Sequence, residues 1–211
     1  MKVNEIFKSI QGETSLAGYS SVFVRLTGCN LRCGYCDTTD SYDKGENLSD
    51  EDIIAKIDAL APFHHITLTG GEPLLQKETP ALVEKLIHRR RRVRIETNGS
   101  IDISCVPPPA ERIVDIKTPS SGEEGSFCMN NILHLAGWDE VKFVIADDND
   151  FFYAKDFCEK NFSGSRPIIN ISPVSGKISP DRCAKLMLEH KLDARLSLQL
   201  HKIIWPKGEP K

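Results

Sequence analysis

Short apolar runs alternate with stretches of helical apolar spacing through most of the chain, the pattern of repeated β/α units. Strands are predicted at 21–28 (SVFVRLTG), 65–70 (HITLTG), 92–97 (RVRIET) and 112–117 (RIVDIK). Three more are predicted at 140–146 (EVKFVIA), 167–172 (PIINIS) and 194–199 (ARLSLQ). Helices begin at recognisable caps. Ser49 opens one, with Asp52 three residues on as an approximate capping box, and Ser179 opens another with Pro180 at its first position. Residues 77–90 and 150–161 also carry helical spacing. The links after 92–97 and 112–117 are weak helices at best, one holding three consecutive prolines (SIDISCVPPPAE) and the other small and polar (PSSGEEGSFCMN). The pattern therefore predicts an α/β fold, an open partial (β/α) barrel of about six parallel strands with shortened or missing crossover helices. No repeat or low-complexity linker divides it, and a single domain over 1–211 is expected.

A chain of 211 residues is long enough to bury a real core, and 40% hydrophobic with 27% charged residues is ordinary globular composition. A net charge of −3 supplies no general attraction to nucleic acid or anionic membrane. The start, MKVNEIFKSIQGETS, lacks the apolar core of a signal peptide, and no run approaches the ~20 apolar residues of a membrane helix. A cytoplasmic location is the expectation. Seven cysteines, an odd number without a secretory signal, argue against a disulfide scaffold. Cys105, Cys128, Cys158 and Cys183 are widely spaced and read as packing thiols.

The other three are not spread out. Cys29, Cys33 and Cys36 form C-x3-C-x2-C directly after a predicted strand. Structural zinc would want a fourth ligand, and the closest histidine in sequence is His64, beyond the next helix. Thiol exchange through CGYC (33–36) would leave Cys29 idle. The spacing favours an iron–sulfur cluster held at three irons, with the fourth free for a small ligand. This triplet resembles the signature of radical S-adenosylmethionine (SAM) enzymes, with Tyr35 where that superfamily places an aromatic residue. The resemblance implies a [4Fe-4S] cluster whose open iron binds SAM, and reductive cleavage of SAM to a 5′-deoxyadenosyl radical.

Further motifs fall at the carboxyl ends of the predicted strands, where ligands sit in parallel β/α folds. LTGGEPLL (68–75) places Gly70, Gly71 and Glu72 one unit after the cysteines, and resembles the GGEP motif that pairs with the SAM amino group. IETNGS (95–100) contributes Glu96 and Asn98; DIKTPSSG (115–122) contributes Lys117, Thr118 and Pro119. ISPVS (171–175) adds Ser172, Pro173, Val174 and Ser175, which the resemblance to radical SAM enzymes implies as the SAM-side wall. Together with SIQGETS (9–15), CDTTDSY (36–42) and LQLHKIIWP (198–206), the set resembles the 7-carboxy-7-deazaguanine synthases of deazapurine (queuosine precursor) biosynthesis.

That resemblance implies a carbon–nitrogen lyase acting on 6-carboxy-5,6,7,8-tetrahydropterin, with hydrogen abstraction at C6, ring contraction and loss of ammonia. It implies SAM contacts at Tyr35, Cys36, Asp37 and the motifs above, and Mg2+ on the Thr38 hydroxyl, a hard oxygen donor. Ile10, Gln11, Gly12, Glu13, Arg25, Thr69 and His201 would contact the pterin. A reduced flavodoxin- or ferredoxin-type donor and a homodimer are implied as well. No acid or base is assigned; Glu13, Glu96 and a bound water stay open. A glycyl-radical activating enzyme would share the cysteine spacing, and a zinc-binding module is the non-enzymatic alternative. HRRRRVR (88–94) has no interleaved aromatics to stack bases and reads as a solvated helix terminus, with electron-donor docking a better use than nucleic acid. The terminal PKGEPK (206–211) is expected to be a polar tail whose access to the site is open.

Overall fold

A computed structural model describes residues 1–162 and 167–206. Its strands are β1 (Lys2–Ile10), β2 (Ser20–Leu26), β3 (Glu46–Asn47), β4 (His65–Gly70), β5 (Val93–Thr97), β6 (Glu111–Asp115), β7 (Glu140–Ile145), β8 (Ile168–Pro173) and β9 (Arg195–Leu196). Its helices are α1 (Asp50–Ala59), α2 (Thr79–His88), α3 (Asp148–Asn161), α4 (Pro180–Glu189) and α5 (Leu200–Ile204). The strands form one sheet in the order β3-β1-β2-β4-β5-β6-β7-β8-β9. Pairing is parallel from β2 to β9, and β1 runs antiparallel between β2 and β3. The sheet does not close. This is the open, partial barrel that the pattern predicts.

The predicted caps form as read. Ser49 accepts the Asp52 N–H while the Asp52 side chain reaches back to the cap, and Ser179 accepts from Arg182 ahead of the Pro180 turn. After β5 and β6 no α-helix follows before the next strand; 3-10 turns at Ile103–Cys105, Pro119–Ser121 and Met129–His134 take its place. Two elements escape the periodicity. β1 carries an irregularity between Val3 and Glu5 that breaks the two-residue alternation. The predicted strand at 194–199 is a strand only at Arg195–Leu196; Ser197 N–H still donates to Ile171 C=O of β8, its hydroxyl accepts from Thr14 N–H, and Leu200 N–H donates to Gly12 C=O of the N-terminal loop. The chain continues as α5 instead.

Alternation along each strand sorts the sheet into two faces. Val24, Leu68, Ile95, Val114, Phe143 and Ile171 are buried in one core with Ile53 and Ile57 of α1, Leu82 and Leu86 of α2, Phe151 of α3 and Leu186 of α4. The other face is polar. It carries Arg25, Thr69, Glu96, Asp115 and Lys142 around a cavity of about 770 Å³. No helix among the described residues is long and apolar enough to cross a membrane.

One arginine departs from the sequence reading. Arg89 and Arg91 sit beside Asp58 and Arg92 pairs with Glu111, as befits a helix terminus at the surface. Arg94, by contrast, is fully buried. It faces Glu140, lies 3.0 Å from Glu111 and donates to Thr14 at 2.9 Å, tying β5, β6 and β7 to the N-terminal loop beneath the cavity. Strand alternation, not the charge run, decides its fate: Arg94 lies two residues before Glu96 and so shares the inner face.

Candidate active site

The loop after β2 is shaped by its own backbone. Gly28 N–H donates to Ser41 C=O, Gly34 N–H to Ser121 C=O, and Cys36 N–H to Cys33 C=O. The Arg32 guanidinium lies 4.2 Å from the centre of the Tyr42 ring and donates to the Cys29 and Leu31 carbonyls. Cys29, Cys33 and Cys36 are free thiols, half-buried, and all three line the cavity. Leu31 N–H points at the Cys29 sulfur, 3.5 Å away. Burial raises the Cys33 thiol, an effect the Lys117 cation opposes. Among the described residues no group of three Cys, His, Asp or Glu side chains is placed to hold one metal ion. Three half-buried thiols on one loop, lining a cavity of about 770 Å³, are a donor set suited to an iron–sulfur cluster.

The Gly70–Gly71 turn packs against this loop. A Cβ on Gly71 would lie 2.1 Å from the Gly28 carbonyl oxygen, so only glycine lets the two backbones meet. Glu72 fastens the turn: its carboxyl accepts from Leu74 N–H (2.9 Å), Asn98 N–H (2.7 Å) and the Thr97 hydroxyl (2.8 Å). Burial pushes this carboxyl up, and those donors pull it back. The Glu72 side chain is wholly buried and is not among the residues that line the cavity; its contacts fasten the loop.

On the far wall, Gln11 donates to Glu96 (3.0 Å) and accepts from Thr67 (3.2 Å), and Thr69 donates to the other Glu96 oxygen (3.3 Å). Glu96, expected on the SAM side, thus joins the residues expected to face the pterin. Glu13 pairs with Lys142 at 2.8 Å and accepts from Gln199 at 2.9 Å. Burial raises the Glu13 carboxyl, but Lys142 outweighs it and leaves Glu13 below the usual carboxylate range. Arg25 is held by Glu5 at 2.8 Å on β2, which is interior to the sheet and not its edge.

The lid comes from the end of the described chain. Leu200 N–H donates to Gly12 C=O, Lys202 pairs with Asp37 at 2.9 Å, and Trp205 and Pro206 border the cavity. The His201 ring rests on Gly12, where a Cβ would sit 2.0 Å from Nδ1. Burial lowers the His201 pKa, an effect Glu13 opposes. The predicted tail beyond Pro206 lies outside the described residues.

Sequence comparison joins this geometry to known proteins. Residues 23–116 match the Radical SAM superfamily. The chain is 39% identical to the 7-carboxy-7-deazaguanine synthase of Koribacter versatilis, over 97% of each protein. It is 40% identical to that of Methanospirillum hungatei, over 97% of this chain and 85% of the relative. The chain belongs to the 7-carboxy-7-deazaguanine synthase family. In structure it is similar to QueE from Escherichia coli, with a TM-score of 0.79, 24% identity, and coverage of 95% of this chain and 94% of that one. The fold also resembles Streptococcus suis SuiB bound to S-adenosylmethionine, with a TM-score of 0.58 and 12% identity, covering 90% of this chain and 50% of that one.

Within this family member, most of the sequence-predicted residues converge. Ile10, Gln11, Gly12, Glu13, Arg25, Thr69 and His201 share the cavity with the three cysteines. Tyr35, Asp37, Thr38, Gly70, Gly71 and Lys117 line it as well. Glu96, Asn98, Val174 and Ser175 complete that set. Thr118, Pro119, Ser172 and Pro173 do not reach the wall. The Thr118 hydroxyl donates to the Val144 carbonyl at 2.9 Å, and Pro119 opens an exposed turn. Ser172 and Pro173 are buried within β8. Sequence reasoning missed Asp115, Lys142 and Gln199, all on the wall. The inner-face alternation on β6 and β7 was the available signal for the first two.

Proposed function

We propose that this chain is a radical SAM carbon–nitrogen lyase that converts 6-carboxy-5,6,7,8-tetrahydropterin to 7-carboxy-7-deazaguanine with loss of ammonia. The observation that carries the reading is spatial. The three thiols at 29, 33 and 36 and the Gln11–Glu13 loop, on opposite sides of β2 in the chain, open onto one cavity with His201 from the far end of the sequence. Its volume of about 770 Å³ is within the range of small-molecule sites and roomy enough for two ligands side by side.

Cys29, Cys33 and Cys36 would hold the [4Fe-4S] cluster. SAM would lie between that loop, the Gly70–Gly71 turn, Lys117 and the Val174–Ser175 segment. With cluster and SAM bound, one-electron reductive cleavage supplies the hydrogen-abstracting chemistry. The chain's residues do the positioning. Gln11, Thr69 and Glu96 form a mutually bonded acceptor and donor surface for a heterocyclic edge. Glu13, kept ionised by Lys142, is an acceptor for N–H groups of the substrate rather than a proton-transferring base at neutral pH. The Thr38 hydroxyl, 3.9 Å from the Cys36 sulfur, is the oxygen donor we assign to Mg2+, with the substrate supplying further oxygens. Trp205 borders the cavity together with His201 and Lys202 of α5.

The test is anaerobic turnover of the iron–sulfide-reconstituted protein with SAM, reductant, Mg2+ and carboxytetrahydropterin. Formation of 7-carboxy-7-deazaguanine is expected, and its loss in Cys33→Ser. Intact pterin after cleavage of SAM would overturn the substrate assignment.

A further inference from the structure

Glu13, Lys142, Asp115 and Lys117 form one unbroken line of alternating charges across the cavity. Lys142 Nζ lies 2.8 Å from Glu13 Oε2 and 3.6 Å from Asp115 Oδ2, and Lys117 Nζ lies 3.0 Å from the same Asp115 oxygen. All four line the cavity, with side chains only 12–16% exposed. The two carboxylates come from different parts of the chain. Glu13 stands on the N-terminal loop beside Gln11 and Gly12. Asp115 ends β6, two residues before Lys117, and is the register partner of Lys142 on β7.

Unused acceptors lie at both ends of the line, on Asp115 itself and on the Gln199 amide beside Glu13. Asp115 Oδ1 is buried without a partner. On the other side Gln199 Nε2 donates to Glu13 Oε1, while Gln199 Oε1 is buried and unpartnered. Buried acceptors of this kind call for donors, and hydroxyl or N–H groups of bound ligands provide them.

On the pterin reading above, Glu13 belongs to the substrate half of the cavity, and Asp115 borders the SAM half through its pair with Lys117. We propose that Lys142 is a positioning residue that couples the two halves, one ammonium holding the carboxylate that faces the pterin and the carboxylate that borders the SAM half. The compact ammonium of lysine offers three donors around a point charge and serves two carboxylates on separate elements at once. Burial lowers the Lys142 pKa, but Glu13 and Asp115 carry it well above the ordinary value, so the bridge stays charged. Because the ammonium is shared, a change in its hold on one carboxylate alters its hold on the other. Coupling of this kind is reciprocal between the two ligands.

The experiment measures two dissociation constants on cluster-reconstituted protein, SAM by calorimetry and 6-carboxypterin by fluorescence. Glu13→Gln is expected to weaken SAM binding on the order of threefold to tenfold, although residue 13 lies on the pterin side, and Asp115→Asn to weaken 6-carboxypterin binding similarly. Lys142→Met should weaken both and abolish the two cross-effects in the double variants. Glu13→Gln and Asp115→Asn are near-isosteric, so they decide the matter even where Lys142→Met does not fold. SAM and pterin affinities unchanged by the opposite-side substitution, at wild-type iron content and melting temperature, overturn the coupling. A wild-type chain that binds SAM but no 6-carboxypterin overturns the pterin reading instead.

Discussion

Two residues show how narrowly the site is set. Gly12 has no room for a methyl group, since its Cβ would fall 2.0 Å from His201 Nδ1 and 2.9 Å from Cγ. Gly12→Ala should therefore expel the His201 ring and cut kcat/KM for the pterin on the order of a hundredfold, with iron content unchanged. Steady-state kinetics beside an iron assay checks this. Glu72 does not itself line the cavity, yet its carboxyl receives the Leu74 and Asn98 backbone N–H groups and the hydroxyl of Thr97, and so braces two residues of the cavity wall, Thr97 and Asn98. Glu72→Gln turns an amide N–H₂ toward a donor whichever way it flips. The expected cost is about 1–3 kcal/mol, read as a lower urea midpoint at unchanged slope. The GGEP motif was legible in the sequence; that its glutamate side chain fastens the loop was not, because the donors come from 74, 97 and 98.

At the scale of elements, the lid and the barrel have different stabilities. α5 buries none of its residues and is held by the Leu200–Gly12 bond, the His201 contact and the Lys202–Asp37 pair. The parallel strands, in contrast, carry the main core on their helix-facing side. A chain ending at Gln199 is expected to keep its melting temperature within a few degrees, about the effect of a surface element, while losing on the order of tenfold in 6-carboxypterin affinity. Differential scanning fluorimetry and fluorescence titration separate the two effects; a collapse in melting temperature would show α5 to be part of the folded core. The predicted strand at 194–199 fails for the same reason that the lid exists. Its polar groups find partners on the 11–15 loop, contacts between segments over 180 residues apart that no local pattern contains.

For the molecule as a whole, the polar inner face makes stability sensitive to pH. His65 is fully buried at the base of β4, and burial together with the Arg94 charge pushes its pKa down to about 3. In the unfolded chain it protonates near the ordinary ~6.5. Between those values the unfolded state binds a proton that the folded state refuses. Stability therefore falls as pH drops below about 6.5, by at most about 1.4 kcal/mol per pH unit for one such group. Urea midpoints from about pH 7.5 to 5.5 should fall in the wild type and fall less in His65→Gln. Equal slopes would rule out His65 as the source.

Sequence alone determined the β/α order, the Ser49 and Ser179 caps, the missing crossover helices after β5 and β6, and the three-thiol loop. Each of these is a local property: apolar period, turn chemistry, or spacing within a few residues. It also placed Gln11, Thr69, Lys117 and His201 among the candidates, because each lies in a short motif. Only the tertiary structure decided that Glu96 bonds with Gln11 and Thr69, that Arg94 is buried, and that Lys142 joins Glu13 to Asp115. Those facts depend on which face of a strand meets which segment after the sheet has curved around its polar side. Charge pairing across 27 residues (115 to 142) and 129 residues (13 to 142) is set by strand register and loop closure, and neither is written in the neighbourhood of any one residue.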